Sequence, residues 1–167
     1  MSVSYKPLWP SGCPWVRDMV LASRCMEGQI TMARKAVLLV EDTPVPELVS
    51  VSALEGAGYE VEVARDAETG LQRARDVHWA AAVVDIRLPP RPGRSAVKLE
   101  GLRVIRGLKT DPATLRIPVL ATSEVPDPKL EDACRAAGAD DFLPRDPLDP
   151  VALVERVRAL TRGRRNR

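Results

Sequence analysis

Carboxylates follow two apolar runs of strand length in this chain. Residues 37–40 lead into Glu41 and Asp42, and residues 82–84 lead into Asp85. Such β-branched runs are typical of strands buried on both faces of a parallel sheet, and the carboxyl ends of these strands meet at the edge where ligands bind. Three carboxylates crowded there repel one another unless a hard cation neutralises them. The spacing therefore predicts a Mg²⁺ site with one carboxylate left to react.

Strand-like runs and helical periods alternate along the chain from residue 36 onward. Thr43 and Pro44 suit a helix start, and Gly138 suits a helix stop. The predicted strands are 36–41, 59–63, 80–84, 117–121 and 141–143, and the predicted helices are 44–57, 66–75, 100–109, 128–137 and 151–160. Five consecutive βα units predict a doubly wound α/β sandwich of three layers with parallel strands.

The composition sets limits on class and location. A chain of 167 residues that is 45% hydrophobic is long enough for one ordinary domain. Its three cysteines fit no zinc spacing and favour a reducing, cytoplasmic environment. No apolar run is long enough to span a bilayer, so we expect no membrane association.

The two ends of the chain differ from its middle. Residues 1–33 show no clear period, which predicts a disordered N-terminal extension or a mis-called start, with Met32 as the natural first residue. The alternative is an ordered arm that docks through Trp9 and Trp15. Residues 163–167 form a basic C-terminal tail, for which a solvated helix end is favoured over nucleic-acid binding. The predicted folded domain is 34–162.

Several landmarks, in order and at fitting intervals, resemble the receiver domain of two-component response regulators over roughly 36–161. They are the acidic pair Glu41 and Asp42, Asp85 after strand three, Thr122 near strand four, and residues 136–143 leading into strand five. The resemblance, to single-domain, chemotaxis-regulator-like members, implies a flavodoxin-like five-stranded parallel sheet of order 2-1-3-4-5.

The resemblance also implies roles for the acidic residues. Asp85 would be the phosphoacceptor, attacking the phosphorus of a phosphohistidine to form an aspartyl phosphate. Mg²⁺ would be held by Asp42 and Asp85, by the backbone carbonyl of Arg87, and by Glu41 through water. The metal would cancel the repulsion between the anionic nucleophile and the anionic phosphoryl group.

Two further residues would pass on the signal. Thr122 would hydrogen-bond a phosphoryl oxygen and move inward, and Phe142, the switch aromatic, would follow into the space that Thr122 leaves. This movement would couple the chemistry to the face made by helix four, strand five and helix five.

The chain departs from the family pattern at two places. Arg145 stands in place of the family's lysine and Asp146 in place of the proline after it. Arginine keeps the charge, but its guanidinium is larger and planar, and the sequence leaves open whether it reaches the phosphate. A basic insertion at 90–98 follows the phosphoacceptor loop. Two interpretations stay open: a functional loop that contacts a kinase or steers anions, and a tolerated surface insertion.

The resemblance implies a stand-alone response regulator that is not an enzyme. It would accept a phosphoryl group from a sensor histidine kinase or phosphotransfer protein and signal by protein–protein contact, as a monomer or weak dimer, with no output domain after residue 161. The alternative is a non-switching pseudo-receiver that binds a partner constitutively, which Arg145 and Asp146 favour. A Mg²⁺-dependent phosphohydrolase is disfavoured because Arg87 stands where an acid/base carboxylate would be expected.

Overall fold

Strands and helices alternate strictly in the computed structural model, which describes residues 35–94, 99–124, 127–145 and 149–163. The expectations for residues 1–33 and for 164–167 of the tail lie outside these described residues. The elements are β1 (Ala36–Val40), α1 (Pro44–Gly56), β2 (Glu60–Ala64), α2 (Ala67–Arg73), β3 (Ala81–Asp85), α3 (Glu100–Thr110), β4 (Val119–Ser123), α4 (Pro128–Ala137), β5 (Asp141–Pro144) and α5 (Pro150–Gly163).

The five strands form one parallel sheet of order β2-β1-β3-β4-β5. This order confirms the predicted flavodoxin-like fold. Because all the strands are parallel, their carboxyl ends lie at one edge of the sheet. The register pairs Asp85 at the end of β3 with Thr122 of β4, so the two residues are neighbours at that edge.

Period-two alternation along the strands divides the interior into two cores. Leu38 and Val40 of β1 point to one face, where they pack with residues of α2, α3 and α4. Val37 and Leu39 point to the other face, where they pack with residues of α1 and α5. Each central strand is therefore buried on both sides, which explains why its sequence reads as a continuous apolar run.

Strand β4 begins two residues later than predicted. Pro118 has no N–H to give to a sheet ladder, and the N–H of Ile117 is used in a turn to the carbonyl of Thr114 at 2.8 Å. The strand therefore starts at Val119 and ends at Ser123, one residue after Thr122.

Helix ends follow the signals in the sequence. The side chain of Asp66 accepts a hydrogen bond from the N–H of Thr69 at 2.8 Å and caps α2. Gly138, at φ 103°, ends α4 in the left-handed conformation. Within the described part of the chain, every helix is too short or too polar to cross a membrane.

Candidate functional site

Three carboxyl groups meet at the carboxyl edge of the sheet. Glu41 and Asp42 directly follow β1, and Asp85 is the last residue of the neighbouring strand β3. One oxygen atom from each lies within 4.8 Å of the others. Glu41 and Asp85 are buried, whereas Asp42 is half-buried. A set of carboxylate oxygens with one side open to solvent suits a hard cation such as Mg²⁺.

Arg145, which follows β5, extends its guanidinium into this cluster. Its backbone N–H donates to the carbonyl of Ser123 at 2.7 Å, which fixes the start of the side chain beside β4. The Nη1 donates to Oε2 of Glu41, and the Nη2 lies 2.9 Å from Oδ1 of Asp85. Arg145 is only 6% exposed. The structure thus answers the question that the sequence left open: the arginine points into the site.

The guanidinium keeps unused donors. The Nη2 is close enough to Asp85 for an ion pair, but its N–H groups are not aligned for a hydrogen bond, and Nε has no hydrogen-bond partner. Among the described residues, these are the buried side-chain polar atoms that lack a hydrogen bond. Buried donors are normally satisfied. Their state fits a site that receives a further anion, such as a phosphoryl group.

Both carboxylate oxygens of Glu41 accept hydrogen bonds. The backbone N–H of Thr43 donates to Oε1 at 3.0 Å, and Arg145 donates to Oε2. The sequence predicted Thr43 only as a helix start. Thr43 is the N-cap residue of α1, but its side chain makes no capping hydrogen bond. No sequence signal pointed to its backbone N–H as a holder of Glu41, because any residue type supplies that group.

Burial shifts the acid–base properties of the cluster. Desolvation raises the pKa of Asp85 to about 7, although the nearby Arg145 opposes the shift. Desolvation also raises the pKa of Glu41, against the attraction of Arg145 and the hydrogen bond from Thr43. The pKa of Asp42 is raised by burial as well. Cations that bind here therefore compete with protons near neutral pH.

Thr122 and Phe142 lie on adjacent strands next to the cluster. Thr122 is buried, pairs with Asp85 across β3 and β4, and pairs with Leu143 across β4 and β5. Phe142 is buried in the core that packs against α2, α3 and α4, and it lines a cavity of about 150 Å³ beside Asp127 and Glu131. Thr122 is therefore the strand neighbour of Asp85, and Phe142 lies on the next strand, β5, beside α4.

Helix α3 packs directly on the backbone of the phosphoacceptor candidate. The N–H of Gly101 donates to the carbonyl of Ile86 at 3.0 Å. A Cβ atom at Gly101 would overlap the carbonyl oxygen of Asp85 and would lie 2.6 Å from the Cα of Ile86. Only glycine allows this close approach. The position of Asp85 thus depends on a glycine in α3.

Two exposed residues of opposite charge lie beside the cluster. Arg87, two residues after Asp85, has an Nη1 atom 3.9 Å from Oε2 of Glu124, and both side chains are at least half exposed. The backbone carbonyl of Arg87 stays a predicted metal ligand.

Pro89, just before the insertion, and Pro90, its first residue, are hydrogen-bonded to two helices. The carbonyl of Pro89 accepts from the N–H of Ala67 at 2.9 Å, and the carbonyl of Pro90 accepts from the N–H of Glu68 at 3.2 Å. Arg103 of α3 also donates to Pro90 at 3.1 Å. Residues 91–94 are exposed, and residues 95–98 lie outside the described part.

Known proteins share this sequence pattern. The family model for the response regulator receiver domain matches residues 37–158. The gliding motility regulatory protein of Myxococcus xanthus is 29% identical over 150 residues, which cover 87% of this chain but 18% of that protein. The chain also spans less than half the length of several other curated relatives. The polar-differentiation response regulator DivK of Brucella ovis is 26% identical over 125 residues, which cover 75% of this chain and 94% of DivK.

A solved structure shows the same architecture. The receiver domain of the sensor histidine kinase PA1611 from Pseudomonas aeruginosa was solved with a magnesium ion coordinated in its active site cleft. It superimposes with a TM-score of 0.66 at 25% identity, covering 77% of this chain and 98% of that domain. With a family match over most of the folded part and the same fold in a solved member, this chain belongs to the response regulator receiver domain family.

Proposed function

We propose that this chain is a stand-alone receiver that accepts a phosphoryl group on Asp85 and signals by protein contact. The observation that carries the proposal is the buried guanidinium of Arg145, which lies 2.9 Å from Asp85 and has donors to spare. A cation fixed beside a buried carboxylate suits the binding of an anionic group at that carboxylate. The donor would be a phosphohistidine of a sensor histidine kinase or phosphotransfer protein.

The reaction can be written from the residues present. An oxygen of Asp85 attacks the phosphorus, so that a P–O bond forms while the P–N bond to the donor imidazole breaks, and the imidazole leaves and takes up a proton. Arg145 Nη2 and the hydroxyl of Thr122 donate to phosphoryl oxygens. Burial keeps water away from Asp85 and strengthens these contacts.

Magnesium fits the same site. Asp42 and Asp85 offer carboxylate oxygens within 4.8 Å of each other, and Asp42 is the member of the cluster nearest solvent. When bound, Mg²⁺ would neutralise charge between the nucleophile and the phosphoryl group. The magnesium ion of the PA1611 receiver domain supports this assignment by analogy.

The output would leave through α4, β5 and α5. Phe142 lies on β5 at the cavity beside α4, so a shift of Thr122 on the adjacent strand would alter the surface of this face. A downstream protein would read that surface. The match over 94% of DivK supports a receiver that works without an attached output domain. We propose that it acts in the cytoplasm.

The second candidate is the non-switching pseudo-receiver. The ion pair between Arg145 and Asp85 favours it, because a cation already satisfies the nucleophile. In this function the chain would bind its partner in one conformation, with Asp85 never modified.

Transfer from a phosphohistidine donor tests phosphoryl acceptance on Asp85, which the pseudo-receiver lacks. A histidine phosphotransfer domain labelled with ³²P on its histidine would be mixed with the full chain and Mg²⁺. We expect label on the wild type and on Asp111→Asn, a surface control, but none on Asp85→Asn. Absence of label from the wild type, with label retained on the donor, would contradict phosphohistidine as the source.

A further inference from the structure

The acidic cluster already contains a cation of its own. The guanidinium of Arg145 spans two of the three carboxylates, with Nη1 on Glu41 and Nη2 2.9 Å from Asp85. Glu41 and Arg145 are 1% and 6% exposed, so their charges are compensated by each other and not by water. A planar group with two terminal nitrogens can bridge two carboxylates in this way, whereas a lysine ammonium is a single point charge.

The two ends of the bridge differ in strength. The contact with Glu41 is an aligned hydrogen bond between buried charged groups, and Glu41 is held in turn by the N–H of Thr43 at 3.0 Å. The contact with Asp85 is an ion pair without hydrogen-bond alignment. Arg145 is therefore fixed at Glu41 and held more loosely at Asp85.

Glu41 has little capacity left for a metal. Both of its oxygens accept hydrogen bonds, and its side chain is closed off from solvent. Asp42 is half-buried, and among the described residues no side chain donates to it. Asp42 is thus the carboxylate open to solvent, and Asp85 is buried but holds Arg145 without an aligned hydrogen bond, whereas Glu41 accepts two hydrogen bonds.

We infer that Glu41 is a positioning residue that anchors Arg145, and that the anchored guanidinium is a resident cation which Mg²⁺ displaces from Asp85. The inference rests on the proposed function for the identity of the incoming ion. It deepens that function by giving Glu41 a task other than ligation. It also makes the Arg145 substitution a tuning element that weakens Mg²⁺ binding.

A charge-neutral double variant tests this division of labour. Replacing the pair together, as Glu41→Gln with Arg145→Met, removes one negative and one positive charge and leaves Asp42 and Asp85 in place. Calorimetric titration of the full chain with MgCl₂, without any phosphodonor, gives the Kd directly. We expect the double variant to bind Mg²⁺ more tightly than the wild type, by up to about tenfold. Weaker binding would assign Glu41 to the metal, unchanged binding would show that Arg145 does not compete with Mg²⁺, and either result would overturn the inference.

Arg145→Lys provides a second, milder test. The lysine keeps the charge but reaches only one of the two carboxylates, so the Kd for Mg²⁺ should fall by a few fold, even if the double variant fails to fold. Simple repulsion at a distance predicts an unchanged Kd, and that result would overturn the inference. Arg156→Lys, which alters a surface ion pair with Asp141, is the matched control and should leave the Kd unchanged.

Thermal unfolding in EDTA tests the anchoring itself. Arg145→Met leaves two buried carboxylates without their cation and should lower the Tm by roughly 10 °C. Glu41→Gln leaves the ion pair with Asp85 in place and should cost less, and the double variant should recover more than half of the loss seen in Arg145→Met. Additive losses would show that the two residues do not act as a pair. Because no phosphodonor is present in either measurement, a failure of phosphoryl uptake leaves both results intact.

Discussion

Replacing Gly101 with alanine tests whether α3 fixes the backbone that carries Asp85. Gly101 is the second residue of α3, and its N–H donates to the carbonyl of Ile86. An added Cβ would overlap the carbonyl oxygen of Asp85 and approach the Cα of Ile86 at 2.6 Å. These are backbone atoms at the end of a central strand, so they cannot yield as the tip of a flexible side chain would.

The size of the effect follows from two opposing contributions. Inserting a methyl group into a closed contact costs roughly 1–3 kcal/mol, and a contact against backbone belongs at the upper end of that range. Alanine returns at most about 1 kcal/mol in helix propensity. We therefore expect Gly101→Ala to lower the free energy of unfolding by about 2 kcal/mol.

Gly56 offers the matched control. It is the last residue of α1, and a Cβ there would meet no atom within 4 Å. Gly56→Ala should raise the free energy of unfolding by roughly 0.5–1 kcal/mol. Urea unfolding followed by circular dichroism measures both variants. If Gly101→Ala has the same free energy of unfolding as Gly56→Ala, there is room for a Cβ atom between α3 and the backbone of Asp85, and the predicted steric overlap is refuted.

Three further predictions concern the surroundings of the site. In EDTA, the raised pKa of Asp85 (about 7, against 3.8 when unperturbed) means that the folded state binds the extra proton. The free energy of unfolding should therefore fall by about 1 kcal/mol as the pH rises from 6 to 8, and this fall should be smaller in Asp85→Asn. If urea unfolding gives the same free energy at pH 6 and pH 8, the prediction is wrong. Arg87 and Glu124 form an ion pair beside the site at 3.9 Å, and we propose that this pair slows the entry of water. Arg87→Ala and Glu124→Ala should then each speed loss of phosphate from Asp85, and an unchanged rate in a mass-spectrometric time course would contradict this. Leu99 has the left-handed φ of 78°, which strains a residue other than glycine, and its side chain is 42% exposed. Leu99→Gly should therefore raise the free energy of unfolding by roughly 0.5–1 kcal/mol. A lower free energy of unfolding in urea would refute the backbone strain.

The sequence predicted the order and type of every described element, because buried parallel strands and amphipathic helices leave clear periods. Helix α4 has the predicted bounds, and Gly138 ends it as expected. The error at β4 had a visible cause in Pro118, whose missing N–H delays the ladder to Val119. Boundaries depend on such single backbone groups, whereas the presence of an element depends on many side chains.

The site was predictable as a set of neighbours but not as a set of contacts. Parallel topology alone brings Glu41, Asp42 and Asp85 to one edge. The direction of Arg145 depends on the path of the chain after β5, where its N–H is fixed to Ser123. The hydrogen bond from Thr43 to Glu41 uses a backbone group, which has no sequence signature.

The most direct test of phosphoryl acceptance is the mass of the intact protein after incubation with Mg²⁺ and acetyl phosphate. The wild type and the surface variant Asp111→Ala should each gain one phosphoryl group, whereas Asp85→Ala should gain none. An adduct on Asp85→Ala, or none on a folded wild type that binds Mg²⁺, would contradict Asp85 as the phosphoacceptor.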